Sequence, residues 1–350
     1  MTRRTAVFKS DLFLAHEPGY DHIESPDRLR AIYQVLDGAA IRARLLFPEF
    51  GPASEEVLAL NHTPRHIFRV KATAGKPFEV LDPDTQTSPR SYEAACLAAG
   101  AVVRALAMVV AGECDNAYAL VRPPGHHAES DHTSGFCLFN NVAVAAHYGL
   151  RHLGLQRILI ADWDIHHGNG TQHSFYNTDQ VLYFSTHQYP FFPGSGGLNE
   201  TGSDRGEGYT VNVPLQGGQD DLAFARIFNE LLVPVARQYR PEAIIVSAGY
   251  DIYAGDPLGT MAVTPAGFGY MTRVLAELAD ELCHGRLVLA LEGGYSFEGL
   301  ASGVLASLAE LTGEGGLDGE RLAAFRRASV PLRALEEAKA VAKKYWTTIS

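Results

Sequence analysis

The sequence predicts an α/β fold, a single domain whose central, mostly parallel, doubly wound β-sheet is flanked by helices. Short runs rich in Val, Ile and Leu alternate with longer helical stretches. Four of those runs are apolar almost throughout, as strands buried on both faces are. Each of the four is followed at once by a dense polar loop.

The four runs are Ala117–Arg122, Arg157–Asp162, Ala243–Ala248 and Arg286–Leu291. Thr210–Leu215 alternates in polarity and predicts a fifth, more exposed strand. Helices are predicted over Tyr92–Ala111, Asn141–Leu153, Leu222–Tyr239 and Pro265–His284. Pro234 should kink the third, while Thr264, Pro265 and Gly285 punctuate the fourth as cap, first-turn proline and stop. Leu332–Trp346 reads as a last helix docked on the body. No linker or repeat divides the chain, so residues 1–350 are expected to form one domain.

Of the 350 residues 46% are hydrophobic, enough for a large core. A net charge of −11, from 29 Lys and Arg against 40 Asp and Glu, argues against a nucleic-acid-binding surface and suits a cationic partner. The four cysteines form no C-x-x-C pair, so neither a thiolate zinc knuckle nor a disulfide framework is indicated. No apolar segment follows Arg3 and Arg4, and no run approaches about 20 uninterrupted apolar residues. A cytoplasmic protein without a membrane partner is therefore expected, and assembly into a homo-oligomer is left open.

The polar loops are Pro123–Asp131 (PPGHHAESD), Trp163–Thr171 (WDIHHGNGT), Gly249–Pro257 (GYDIYAGDP) and Glu292–Ser296 (EGGYS). Carboxyl ends of parallel strands share one edge of the sheet, where ligands bind, so these four clusters should converge. Asp164 and His166, two apart in extended chain, leave on one face and can grip one ion, and Asp256 offers a third ligand. One imidazole and two carboxylates leave a zinc ion one or two open positions, the mark of a catalytic site; iron(II) suits the same set. Zinc acidifies a bound water and polarises a carbonyl, as amide hydrolysis requires. His126 and His127 supply a proton acceptor, and Asp162 is placed to orient one of them. Tyr295, after Gly293–Gly294, can swing into the pocket and donate to an oxyanion. His167 is read as a packing residue, because neighbours along a strand face opposite ways. Asp82 and Asp84 are read as turn and helix-start carboxylates in preference to rim residues gripping substrate. Gly194–Gly208 lacks a phosphate-loop pattern and reads as a mobile surface loop.

The motifs RPPGHHA, GFCLFNNVAVAA, DWDIHHGNGTQ, SAGYDIYAGDP and LEGGY, in that order, resemble the signatures of the histone deacetylase and acetylpolyamine amidohydrolase superfamily. The resemblance runs from about Glu24–Arg28 to about Gly303. It implies the arginase-deacetylase fold, with zinc on Asp164, His166 and Asp256, His127 as general base and acid, His126 as its electrostatic partner, and Tyr295 as transition-state donor. It also implies a narrow channel lined by Gly135, Phe136 and Phe192, with Gly294 counted beside them, and a structural potassium ion near Asp162, Asp164, His166, Ser185 and Thr186. Asn169 matches the class II-like and bacterial members, where class I carries Asp, which would deprive His127 of one carboxylate neighbour.

The expected substrate is an acetylated amine, acetyl-lysine in a peptide or protein or an acetylpolyamine. One type of polyamine-selective relative carries a glutamate soon after the third ligand, and no acidic residue lies between Asp256 and Glu277. A dimanganese ureohydrolase would need a D-A-H-x-D run, which DWDIHHGNG lacks. An acyl-lysine binder without turnover would have no use for His126, His127 and Tyr295 together.

Overall fold

The computed structural model describes residues 3–19 and 21–349. Its ten strands are β1 (Thr5–Phe8), β2 (Leu45–Leu46), β3 (Glu79–Asp82), β4 (Thr85–Thr87), β5 (Asn116–Ala119), β6 (Ile158–Asp162), β7 (Val181–Gln188), β8 (Thr210–Leu215), β9 (Ala243–Ala248) and β10 (Leu287–Leu291). Eight of them form one sheet in the order β2-β1-β5-β10-β9-β6-β7-β8, and every neighbouring pair is parallel. The strands expected from the apolar runs, β5, β10, β9 and β6, are contiguous in that order, so their polar loops leave the sheet side by side. β3 and β4 form a separate antiparallel hairpin.

Parallel strands need crossovers, and the helices that make them cover both faces. Ser91–Ala111 packs with Asn141–His152, whereas Pro265–Cys283 packs with Phe297–Thr312 and Asp221–Ile227, and Asp27–Gly38 packs on Phe297–Thr312. By length and composition Ser91–Ala111 is apolar enough to cross a membrane, but 72% of its most apolar stretch is buried within the fold, as befits a core helix.

Several expectations are corrected. Thr210–Leu215 is the edge strand, yet five of its six residues are buried, because the C-terminal helix Arg333–Ala342 packs against it. Thr264 does not cap its helix through its side chain; the hydroxyl and amide both donate to Asp221, at 2.7 Å each. The helix before Pro234 adopts a π turn over Phe228–Leu232 and resumes at Val233–Tyr239, consistent with a proline that cannot donate the next helical bond. The Gly194–Gly208 segment is pinned by Glu200, whose carboxylate accepts from the amides of Gly196 and Gly197 at 3.0 and 2.8 Å and from Gln172 Nε2 at 2.6 Å.

Candidate active site

The loop after β6 turns back on itself through its own carboxylates. Asp162 Oδ1 accepts the Asp164 amide at 3.2 Å, and Asp164 Oδ1 accepts the His166 amide at 2.9 Å, which aims Asp164 and His166 together above the strand end. The third group brought to them is Asp251. Donor atoms of Asp164, His166 and Asp251 all lie within 4.8 Å of one another, and His166 Nδ1 stands 3.3 Å from Asp251 Oδ2. Two ligands about 2.0–2.2 Å from a tetrahedral zinc lie roughly 3.3 Å apart, so this spacing fits.

Two further features suit a cation. Asp251 is fully buried and its Oδ2 accepts no hydrogen bond among the described residues, although a lone buried carboxylate oxygen is costly. A Cβ on Gly293 would lie 2.1 Å from Asp251 Oδ2 and 2.6 Å from Asp164 Oδ2, so only glycine lets the two acids meet there. Burial and the neighbouring Asp164 charge push the Asp251 carboxyl up to about 7.

Asp256, expected as the third ligand, is turned elsewhere. Its Oδ2 accepts the amides of Tyr295 and Ser296 at 2.7 and 2.9 Å, and its Oδ1 accepts that of Leu258 at 3.0 Å. It ties the Tyr295 loop in place. Asp251 follows the end of β9 by three residues and Asp256 by eight; nearness to the strand end was the signal that separates them.

The histidine pair lies alongside. His126 Nδ1 meets Asp162 Oδ2 at 3.1 Å, and its Nε2 is 3.8 Å from Asp164 Oδ1. Burial lowers the His126 pKa, but the carboxylates of Asp164 and Asp162 outweigh it and lift the value to about 10. His127 is driven the other way, by burial and by the positive rings of His126 and His166. Its Nδ1 faces Asn169 Oδ1 at 2.8 Å. Glu292, which the sequence reading passed over, accepts the amides of Gly125 and His126 at 2.6 and 3.2 Å and the Ser247 hydroxyl at 3.1 Å, joining three strand ends.

A cavity of about 200 Å³ opens onto these groups, lined by His126, His127 and His166, by Tyr295, and by Gly135, Phe136 and Phe192. Gly293 lines it where Gly294 was expected; Gly294 instead points its carbonyl at Arg28 Nε, at 2.7 Å. Gly135 has φ +53°, and a Cβ there would lie 2.3 Å from His127 Cδ2. Phe136 has φ +69°, an uncommon conformation for a bulky residue, and its ring meets that of Tyr295 edge-on. Phe191, also unforeseen, stacks on His166 at 5.2 Å, and the Arg28 guanidinium lies 4.9 Å over the Tyr295 ring.

Asp84 is a turn carboxylate, as expected, but not a helix-start charge, and it also faces the cavity. It lies in the β3–β4 hairpin turn, lines the cavity, and accepts the Gly135 amide at 3.0 Å. His167 packs away from the cavity against His187, as expected. Ser185 sits beside Asp162 in the sheet register, with its hydroxyl on His187 Nδ1 at 2.9 Å, and the buried Thr186 hydroxyl has no partner among the described residues.

The histone deacetylase domain family matches residues 22–311. Histone deacetylase 18 of Arabidopsis thaliana is 43% identical over 87% of this chain, which spans 47% of that relative, about half its length. The histone deacetylase-like amidohydrolase of Pseudomonas aeruginosa is 39% identical over 89% of this chain and 87% of its own. The crystal structure of the HDA15 HD domain superposes with a TM-score of 0.91 at 36% identity, covering 100% of this chain and 97% of that one. The fold is thus the arginase-deacetylase fold. The chain belongs to the histone deacetylase family of hydrolases.

Proposed function

We propose that residues 1–350 act as a single zinc-dependent deacetylase domain that hydrolyses the N-acetyl amide of acetyl-lysine or a related acetylated amine and releases acetate. The observation that supports this most directly is the meeting of Asp164, His166 and Asp251 beside the His126–His127 pair, in the cavity that Tyr295 also lines. Zinc held by those three side chains would polarise the acetyl carbonyl and acidify water.

His127, with Nδ1 engaged by Asn169, presents Nε2 as the base that takes a proton from water and returns it to the departing amine nitrogen. His126, oriented by Asp162, serves as its electrostatic partner. The Tyr295 hydroxyl donates to the carbonyl oxygen as that oxygen gains charge. Phe136 and Phe192 enclose the substrate's methylene chain and exclude water, and Asp84 holds the Gly135 turn that shapes the channel. A structural potassium ion near Asp162, Asp164, His166, Ser185 and Thr186 belongs to the same reading, with Ser185 set beside Asp162 in the sheet.

A second reading, an acetylpolyamine amidohydrolase, draws support from a cavity of about 740 Å³ that shares Tyr295 with the site and carries Glu17 and Asp21, charges suited to a free polyamine, although Asp27 in the same lining is paired with Arg30 at 2.7 Å. Against it, Leu258 is what the stretch after Asp256 contributes to the inner cavity, an apolar side chain. Turnover of zinc-loaded protein on acetyl-lysine peptides, acetylated polyamines and small acetamides, with Asp251→Ala as control, tests both. Cleavage of peptides above polyamines is expected; no cleavage of any, or undiminished cleavage by the control, would contradict the proposal.

A further inference from the structure

We propose that Glu129 is a positioning residue for His127, acting through the side-chain amide of Asn169. The inference deepens the functional reading above, on which its kinetic part rests. Asn169 was expected to leave His127 short of a carboxylate, yet the fold supplies one a single hydrogen bond further out. Asn169 Oδ1 lies 2.8 Å from His127 Nδ1, while Asn169 Nδ2 donates to Glu129 Oε1 at 2.6 Å and reaches the His127 carbonyl at 3.3 Å.

A primary amide can present either end to a neighbour, but an ionised carboxylate and a peptide carbonyl only accept. With both of them against the amide nitrogen, Asn169 must turn its oxygen to His127. A ring nitrogen facing an amide oxygen carries the proton, so neutral His127 is protonated at Nδ1 and keeps its Nε2 lone pair for the reaction. Turned over, Asn169 would donate to Nδ1, move the proton to Nε2 and block the base.

Glu129 is built in firmly enough to decide this. Its side chain is only 12% exposed and meets His173 Nδ1 at 2.8 Å. Its amide donates to the His132 carbonyl at 3.0 Å, and its carbonyl faces His62 Nδ1 at 2.9 Å.

Glu129→Gln replaces an acceptor with a group that can offer Asn169 either end. We expect kcat to fall about ten-fold with KM unchanged, and nitrogen NMR of histidine-labelled, zinc-loaded protein to show His127 passing from the Nδ1–H form to a mixture. Asn169→Asp sets two carboxylates against each other and is also impaired. The exchange Glu129→Gln with Asn169→Asp lets the glutamine amide donate to an acid that faces His127, and restores most of the lost kcat and the Nδ1–H pattern. A glutamate that merely packed the loop would not be rescued by this exchange. Unchanged kcat and nitrogen pattern in Glu129→Gln, or a double variant no better than Asn169→Asp alone, overturns the proposal. The spectra are read whether or not an amide is cleaved, so an inactive wild-type protein with Nδ1–H His127 sinks the functional reading and leaves the positioning role standing.

Discussion

Asp251→Asn and Asp256→Asn, made in parallel, separate the two carboxylates of one loop. Among the described residues Asp251 accepts a single hydrogen bond, from the Ile165 amide at 2.9 Å, and leaves Oδ2 toward Asp164 and His166. Losing an outer hydrogen-bonding partner of a metal ligand weakens metal binding roughly 10–100-fold, and loss of a ligand itself should cost at least the upper figure. At zinc fixed near 100 times the wild-type Kd, binding stabilises the fold by about 2.7 kcal/mol, and a hundred-fold weaker site loses nearly all of it. Without zinc, removing one of two facing buried acids is expected to leave stability unchanged or raised, because burial and the Asp164 charge already disfavour the ionised Asp251. Asp256→Asn should do the reverse. Asparagine keeps one accepting oxygen, so its NH2 group is set against one or two of the three amides held at 2.7, 2.9 and 3.0 Å, at a cost of about 1–3 kcal/mol, while the zinc shift persists. Urea unfolding with and without zinc, alongside a chelator competition, reads both effects. A zinc shift lost in Asp256→Asn and kept in Asp251→Asn would refute the ligand assignment.

Three other perturbations have definite outcomes. Gly135→Ala forces a Cβ to within 2.3 Å of the His127 ring at φ +53°, so kcat should drop by about ten-fold or more with zinc content unchanged; normal turnover in steady-state assays would contradict the packing argument. Tyr295→Phe should lower kcat by about 10²–10³ while leaving the affinity of a competitive ligand near wild type, and equal losses in both would remove the donor role. Burial, reinforced for His62 by His66, holds His62 at about 3 and burial holds His187 at about 4, against about 6.5 in the unfolded chain. The unfolded chain therefore takes up protons that the fold refuses, so stability is lost as pH falls below about 6.5. Each histidine removes about 2 kcal/mol between about pH 7 and pH 5. A urea midpoint that stays level over that interval, or one that His62→Gln does not flatten, would count against it.

What could be read in the sequence followed from burial. β5, β6, β9 and β10 are apolar runs because both of their faces are covered, and their abrupt change to polar loops marked the site. β7, Val181–Gln188, escaped notice because Ser185, Thr186 and His187 are buried polar residues beside the site, which broke the apolar run. β1 offers only three consecutive apolar residues, Ala6–Phe8, whereas the equally short β5 continues apolar to Val121. The confusion of Asp256 with Asp251 had a different origin: spacing says which loop carries an acid, not which way it turns, and the three amides that claim Asp256 come from its own loop and the Tyr295 loop. Glu129 and Glu292 lay within motifs already singled out, but their contacts join separate strand ends and exist only in three dimensions. The buried pairing of Glu24 with Arg28 and Arg122, which supports the Tyr295 wall from behind, is of the same kind.

The most direct test of the account is an anomalous-scattering map at the zinc edge from crystals of the zinc-loaded protein. One peak per chain is expected, within bonding distance of Asp164, His166 and Asp251, with Asp256 still on the Tyr295 and Ser296 amides. A peak bonded to Asp256 instead, or no peak beside His127 in protein that cleaves acetylated amines, would contradict it.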